Sequence, residues 1–185
     1  MPSYIPTGKE LIDPFKVLEE AGIRTDMKVA DFGCGTLGHY VFAASSMVGP
    51  GGKVYAVDIL KSVLDGVESM IKIERVTNVE TIWGDLERVG GVKLADGALD
   101  IGMLINNLYL SKQQNEMVKE CVRMVKSGGT FVLVDWKPTG AQFGPDPKTR
   151  VSAEDAMKLG TNAGLQLLKE IVPGPYHYGF IFRKP

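Results

Sequence analysis

The alternation of short apolar segments with amphipathic ones restricts the fold of this chain more than any other feature. Seven largely apolar segments have the length of β-strands, and they occupy residues 28–32, 53–59, 79–83, 99–105, 130–136, 165–172 and 176–182. Segments with helical spacing at 39–47, 61–74 and 111–126 lie among the first five strands. This order is typical of a parallel sheet with helices on both faces. Because strands that are apolar throughout are buried on both faces, the sequence predicts an α/β fold with a seven-stranded sheet.

The two ends of the chain depart from this alternation. Residues 8–22 have helical spacing, and Gly22 is predicted to end this leading helix. The last two strands are joined by Pro-Gly-Pro at 173–175, which predicts an antiparallel hairpin that closes the sheet. Three prolines and two glycines in 137–150 predict a loop at the carboxyl edge of the sheet, where open α/β folds bind their ligands.

The size, charge and cysteine content of the chain argue against several classes of protein. Its 185 residues are the length of one domain, so we predict a single domain over 1–185, with the leading helix in 1–22 and the core in 28–185. The 21 basic and 22 acidic residues give a net charge of −1, which argues against binding mainly to nucleic-acid phosphates. No apolar stretch approaches the roughly 18 residues of a transmembrane helix and no secretory signal opens the chain, so we expect a cytoplasmic protein without membrane contact. Cys34 and Cys121 have no metal-ligand spacing, and no metal is expected.

A glycine-rich loop follows the first strand. The strand ends at Asp31 and Phe32, and Gly33, Gly35 and Gly38 then form G-x-G-x-x-G before a helix. Glycine lets the chain turn sharply and bring backbone N–H groups against a ligand at a helix N-terminus. The motif by itself fits a dinucleotide, another nucleoside or a tight turn without a ligand.

Three acidic residues at strand ends narrow these alternatives. Asp58 ends the second strand, where a carboxylate can accept hydrogen bonds from both ribose hydroxyls. Asp85 ends the third strand directly after Gly84, where an acid can bind an adenine amino group. Asp31 precedes the glycine loop, where it would repel a pyrophosphate and attract an ammonium group. Together they indicate a nucleoside ligand that carries a positive charge.

Three segments, in this order, resemble motifs of the class I S-adenosylmethionine-dependent methyltransferases, and most of all the small UbiE-like members. VADFGCG (29–35) is similar to the first motif of that family, VYAVDI (54–59) to its acidic strand end, and WGDLE (83–87) to its adenine-side motif. The resemblance implies a Rossmann-like sheet of order 3-2-1-4-5-7-6 with the last strand antiparallel, and S-adenosylmethionine as the cofactor. Leu37 is a departure, because the family often has a third glycine there, and no role is carried over to its side chain.

The resemblance also implies contacts for individual residues. It places Asp31 at the methionine ammonium and Asp58 at the ribose, with Ile59 packed on the adenine. Asp85 and the backbone of Leu86 would contact the adenine edge. The implied cofactor-binding residues are Asp31, Gly33, Cys34, Gly35, Asp58, Ile59, Gly84, Asp85, Leu86 and Asn106.

The acceptor is expected at the carboxyl ends of the fourth and fifth strands. Asp135 ends the fifth strand and His177 follows the Pro-Gly-Pro turn, and both side chains can act as general bases, so these two are the predicted catalytic residues. An ordinary strand-end acid and a satisfied hairpin histidine are the structural alternatives. The predicted substrate-binding residues are Tyr4, His39, Asn107, Tyr109, Trp136 and Tyr178. Tyr4 belongs to an opening segment that could close over the cofactor.

Two alternative functions remain open at this point. A NAD(P)-dependent short-chain dehydrogenase would share the glycine loop and Asp58, but its catalytic Tyr and Lys stand four residues apart on a helix, whereas Tyr109 and Lys112 are three apart. The second alternative is a non-catalytic module that binds S-adenosylmethionine or S-adenosylhomocysteine. Methyl transfer needs no obligatory catalytic side chain, so the absence of recognisable catalytic residues does not distinguish such a module from an enzyme. Orientation alone can supply roughly 7–11 kcal/mol.

The expected function is methyl transfer from S-adenosylmethionine to an acceptor that the sequence does not identify. A chain of 185 residues leaves room only for loops around the pocket, and its charge is close to neutral. Both features favour a small-molecule acceptor over a protein or RNA. No oligomeric state is predicted.

Overall fold

The computed structural model describes residues 11–185, and all seven predicted strands form within them. They are β1 (Lys28–Phe32), β2 (Lys53–Asp58), β3 (Val79–Trp83), β4 (Leu99–Ile105), β5 (Val125–Trp136), β6 (Gln166–Ile171) and β7 (His177–Arg183). They lie in one sheet of order β3-β2-β1-β4-β5-β7-β6. β7 runs antiparallel to both neighbours, and every other adjacent pair is parallel. The predicted Rossmann-like order is confirmed.

Five α-helices lie in the described part of the chain, one more than the sequence predicted. They are α1 (Pro14–Glu20), α2 (His39–Val48), α3 (Lys61–Glu74), α4 (Gln114–Met124) and α5 (Ala153–Asn162), with a 3₁₀ turn at Leu108–Leu110. α5 was not predicted. It begins at Ser152, whose side chain accepts a hydrogen bond from the backbone N–H of Asp155 at 3.0 Å, and such an N-cap stabilises a first helical turn.

The leading helix is shorter than predicted. α1 begins after Asp13, whose carboxylate accepts the backbone N–H of Phe15 at 3.0 Å. Gly22 follows the helix with a φ of 77°, so it ends the helix as expected, in a conformation that glycine adopts without strain. The first three residues of the predicted helix, 8–10, lie outside the described part of the chain.

The sheet separates two apolar layers. Helices α1, α2 and α3 cover one face, where they pack on residues such as Val29, Val54 and Met103. Helices α4 and α5 cover the other face, around Phe32 and Phe131. Every one of these five strand residues is fully buried, as expected for strands that are apolar on both sides.

The parallel arrangement fixes where ligands can bind. The carboxyl ends of β1, β2, β3 and β4 meet at one edge of the sheet, and the loops that follow them are brought together there. None of the helices in residues 11–185 has the length and apolar character required to cross a bilayer. The cytoplasmic location and the single-domain organisation stay predictions.

Candidate functional site

A cavity of about 970 Å³ opens at the carboxyl edge of β1 to β4. Its volume lies at the upper end of the range usual for cofactor and ligand sites. The cavity is lined by all ten residues predicted to bind the cofactor: Asp31, Gly33, Cys34, Gly35, Asp58, Ile59, Gly84, Asp85, Leu86 and Asn106. The structure therefore brings together one set of residues that the sequence spreads over four strand ends and the glycine loop.

The glycine loop turns sharply between β1 and α2. Gly33, Gly35 and Gly38 all have positive φ angles, of 73°, 65° and 55°. The N–H groups of Gly33 and Cys34 donate to the carbonyl of Val57 at 2.8 and 3.2 Å, which fixes the loop to β2. A Cβ at Gly33 would lie 2.2 Å from the side-chain oxygen of Asn107, so only glycine fits this position.

Asp31 lies at the base of the cavity, and its side chain is 3% exposed. No donor in residues 11–185 makes a hydrogen bond to its carboxylate. Burial, together with the nearby charge of Asp58, raises the pKa of the Asp31 carboxyl to about 7. A buried acid without a partner is costly in its charged form. A cationic group on a ligand would remove that cost.

The other two predicted acids, Asp58 and Asp85, each use one carboxylate oxygen in a backbone hydrogen bond. Asp58 accepts the N–H of Leu60 at 3.0 Å, and Asp85 accepts the N–H of Glu87 at 2.9 Å. Each bond orders the turn that follows its strand. The second carboxylate oxygen of each has no hydrogen-bond donor among the described residues, so it can accept one from a ligand.

Two further polar atoms in the cavity wall lack partners. The Tyr40 hydroxyl and the Asn106 side-chain oxygen are buried, and neither makes a hydrogen bond within the described chain. Buried polar groups are normally paired, so two exceptions in one cavity point to a polar ligand. Burial and the charge of Asp31 raise the pKa of the Tyr40 hydroxyl, which keeps it protonated and a donor. Tyr40, which lies one residue after His39 at the start of α2, was not among the predicted site residues.

Three of the predicted substrate-binding residues line the cavity: His39, Asn107 and Tyr109. The Asn107 amide nitrogen, however, lies 3.0 and 3.1 Å from the carbonyls of Phe32 and Gly33 and 2.8 Å from that of Ile105. Its donor capacity is therefore taken up by the protein backbone. Burial raises the pKa of Tyr109, so its hydroxyl is also protonated at neutral pH.

The family model of the methyltransferase domain matches residues 23–170, which is more than half of the chain. The chain belongs to the methyltransferase-domain family. A demethylmenaquinone methyltransferase from Lactococcus lactis subsp. lactis (strain IL1403) is 30% identical over 122 residues, covering 65% of this chain and 46% of that protein. The chain thus spans about half the length of the curated relatives it matches.

Two solved structures are similar to this methyltransferase domain. A SAM-dependent methyltransferase from Aquifex aeolicus has a TM-score of 0.87 and 27% identity, with 96% of this chain and 93% of that one covered. The [4+2]-cyclase SpnF has a TM-score of 0.78 and 14% identity, with 93% and 79% covered. The second likeness shows the fold alone. With the family known, the dehydrogenase alternative is not favoured.

Four predicted site residues lie outside the cavity of the methyltransferase domain: Asp135, Trp136, His177 and Tyr178. All four are buried where β5 pairs with β7, which places Asp135 opposite Tyr178 and Trp136 opposite His177. Tyr178 donates its hydroxyl proton to the Val151 carbonyl at 3.2 Å, and the rings of Trp136 and His177 are 4.2 Å apart. Their placement therefore does not support direct contact with an acceptor.

The two predicted catalytic residues, Asp135 and His177, lie in different buried environments. Asp135 accepts the backbone N–H groups of Leu108 and Trp136 at 2.9 and 2.7 Å, and burial raises the pKa of its carboxyl to about 6. His177 is fully buried, and neither ring nitrogen has a partner in residues 11–185. Burial lowers the pKa of its imidazole to about 4. Tyr4 lies outside the described residues.

The remaining wall of the cavity is mostly apolar, with Thr36 and Tyr40 as its neutral polar residues and Glu87 as its one acid. It is formed by Thr36, Leu37, Gly38, Tyr40, Leu60, Val63, Glu87, Ile105, Leu110 and Met117. Leu37, Leu60 and Leu110 are 62%, 58% and 65% exposed, so they form an apolar rim. Apart from His39, no basic side chain of the described residues lines the cavity, whereas four acidic ones do. The sequence did not indicate this rim, because its members come from three separate loops.

Proposed function

We propose that this protein transfers a methyl group from S-adenosylmethionine to an uncharged small molecule. The observation that carries the proposal is the Asp31 carboxylate, which is buried without a partner beside the glycine turn of a methyltransferase domain. Asp58 and Asp85 line the same cavity. A nucleoside with a cationic group matches this set of acids better than a pyrophosphate does.

The unpartnered groups of the cavity fit this cofactor. S-adenosylmethionine supplies a methyl group activated on a sulfonium, together with an ammonium, a carboxylate, a ribose and an adenine. Asp31 and the Asn106 side-chain oxygen are acceptors for the ammonium, and the Tyr40 hydroxyl is a donor for the carboxylate. Asp58 would hold the ribose hydroxyls, and Asp85 the adenine amino group. Both donors and acceptors are therefore present for an amino-acid group that carries both charges.

The residues of the cavity would act mainly by position. The glycine loop is fixed to β2 through Val57, and the turns after Asp58 and Asp85 are ordered by backbone hydrogen bonds. A site that holds two reactants in line lowers the barrier without any proton transfer, by roughly 7–11 kcal/mol in favourable cases. The apolar rim excludes water from the reacting atoms when an acceptor covers it. Neither the alignment of the two reactants nor the exclusion of water requires Asp135 or His177 in the cavity.

The charge of the wall restricts the acceptor. No lysine or arginine of residues 11–185 lines the cavity to bind a phosphate or carboxylate group of an acceptor, and Glu87, the acid not assigned to the cofactor, would repel such a group. The exposed leucines of the rim favour an apolar acceptor. The curated relatives named demethylmenaquinone methyltransferases are consistent with a small molecule of this kind. Protein and RNA acceptors are disfavoured because the cavity is a pocket and not an open basic surface.

Calorimetric titration with S-adenosylhomocysteine, with NAD in parallel, tests the cofactor. We expect micromolar binding of the first and none of the second. Asp58→Ala should weaken binding at least about tenfold through loss of charged hydrogen bonds. Asp65→Ala removes an exposed acid of α3 outside the cavity and is the matched control. Binding of NAD alone, or equal affinity in Asp58→Ala and wild type, would overturn the assignment.

Methyl transfer itself needs a second measurement. S-adenosylmethionine with a labelled methyl group is incubated with the protein and with separate small-molecule, protein and RNA fractions of a cell extract. Label in the organic-extractable small-molecule fraction is expected. Label in protein or RNA would contradict the acceptor class. Cofactor binding without transfer to any fraction would favour the non-catalytic binding module.

A further inference from the structure

The glycine turn of the cavity is held from one side by a single amide. Asn107 directs its side-chain nitrogen to the carbonyls of Phe32 and Gly33, at the end of β1, and to that of Ile105, the last residue of β4. Its oxygen occupies the space that a Cβ on Gly33 would need. The conformation of Gly33 therefore depends on where Asn107 is held.

Asn107 is held in turn by a buried carboxylate on the next strand. Asp135 accepts the backbone N–H of Leu108 at 2.9 Å on one oxygen and that of Trp136 at 2.7 Å on the other. Hydrogen bonds to an ionised acceptor are roughly twice as strong as neutral ones, so the bond from Leu108 is a firm link between the two segments. The turn after β4 is thereby fixed to β5.

These contacts form one continuous path across three neighbouring strands. It runs from the Asp135 carboxylate on β5, through the backbone of 107–109 after β4, to the Asn107 amide and the end of β1. The same turn presents Tyr109 and Leu110 to the cavity. A change at Asp135 would consequently reach both the glycine loop and the acceptor side of the wall.

We infer that Asp135 is a positioning residue of the proposed methyltransferase site, which sets the geometry of the glycine loop through Asn107 without touching the cofactor. The inference rests on the proposed function in one respect: the effect of changing Asp135 is measured as a change in affinity for S-adenosylhomocysteine. It replaces the general-base role that the sequence suggested for Asp135. The carboxylate is required because its acceptor oxygens meet backbone donors from two segments.

A double-mutant cycle separates this path from independent roles. Asp135→Asn puts an amide donor against backbone N–H donors, and Asn107→Ala removes the contact with the glycine turn. Each should weaken S-adenosylhomocysteine binding about tenfold, the effect of one lost hydrogen bond. If the two act through one path, the double variant should also lose about tenfold, not the about hundredfold of independent sites.

Two variants control for general destabilisation. Asn78 makes a similar set of buried amide hydrogen bonds, to Ser45 and Gly49. It directly precedes β3, at the amino ends of the parallel strands, away from the cavity. Asp100 accepts the backbone N–H of Lys28 at 2.7 Å, also at the amino ends of the strands. Asn78→Ala and Asp100→Asn should lower the free energy of unfolding but leave S-adenosylhomocysteine affinity within twofold of wild type.

Amide hydrogen exchange of the unliganded protein gives a readout that needs no ligand. Asp135→Asn should speed exchange at the Gly33 and Cys34 amides, which are hydrogen-bonded to Val57 in the wild type, whereas Asp100→Asn should not. A hundredfold loss in the double variant, or unchanged exchange at these two amides in Asp135→Asn, would overturn the inference. Failure of the wild type to bind S-adenosylhomocysteine would instead refute the proposed function, and the exchange result would still decide the path.

Discussion

Replacing His177 with phenylalanine should remove a loss of stability at acidic pH. The imidazole is fully buried against the Trp136 ring, and its nitrogens have no hydrogen-bond partner in the described chain. Burial, and then the charges of Lys137 and Arg150, lower the pKa of His177 from 6.5 to about 4. The folded protein therefore keeps the imidazole neutral under conditions in which the unfolded chain protonates it.

The size of the effect follows from the two pKa values. Because the folded-state pKa is the lower one, the stability is fully present above pH 6.5 and is lost as the pH falls towards 4. One pKa unit corresponds to about 1.4 kcal/mol, so the whole shift amounts to about 3 kcal/mol. At pH 5 the unfolded histidine is almost fully protonated and the folded one is not, which gives a loss of about 2 kcal/mol relative to pH 8.

Urea denaturation of wild type and His177→Phe at pH 8 and pH 5 measures this loss. Other groups that titrate in this range, including Asp31 and Asp135, are present in both proteins and cancel in the difference. His39→Gln changes the other histidine, which is exposed, and serves as the control for loss of an imidazole. If His177→Phe loses as much stability as the wild type on acidification, the imidazole is not held neutral and the reasoning is refuted.

Two further predictions concern the cavity. The affinity for S-adenosylhomocysteine should fall by up to about tenfold per pH unit below pH 7. The reason is that the Asp31 carboxyl, with its pKa raised to about 7, becomes protonated and loses its attraction for the ammonium. Calorimetry at pH 6, 7 and 8 should show this dependence in the wild type and none in Asp31→Asn. Gly33→Ala should abolish binding, because its Cβ would lie 2.2 Å from the Asn107 side-chain oxygen. Gly22→Ala has the same kind of positive φ but nothing within 4 Å of the added Cβ, so it should cost about 1–2 kcal/mol of stability and retain full affinity; equal affinities in the two alanine variants would contradict the steric argument.

The sheet was predictable because its signal is local. Each strand of the parallel part is a short apolar run, and the order follows from the family resemblance that the three motifs carry. Helix α5 was missed because it follows a Pro- and Gly-rich loop and has few large apolar residues. Ser152, followed three residues later by Asp155, was the available sign of its start.

The cofactor side of the cavity was predictable for the same reason, and the acceptor side was not. Asp31, Asp58 and Asp85 lie at or just beyond the ends of their strands, so strand positions fix their location. The residues at the ends of β5 and β7 lie outside the cavity, and Trp136 packs on Phe143 of the loop 137–150. Arg150, itself 8% exposed, donates to the carbonyls of Lys137, Phe143 and Pro145 and folds that loop over Trp136. The sequence marked 137–150 only as a loop and did not indicate these contacts of Arg150.

The order of the strands also has a consequence for association between copies of the chain. It leaves β3 and β6 at the two outer edges of the sheet, where unpaired backbone groups can recruit a strand from another molecule. Both edge strands carry exposed charges: Glu80 on β3 pairs with Lys53 at 3.1 Å, and Lys169 on β6 pairs with Glu20. A strand docking at either edge would have to displace or bury these ions, so the fold protects its open edges from aggregation with side chains that take no part in the cavity.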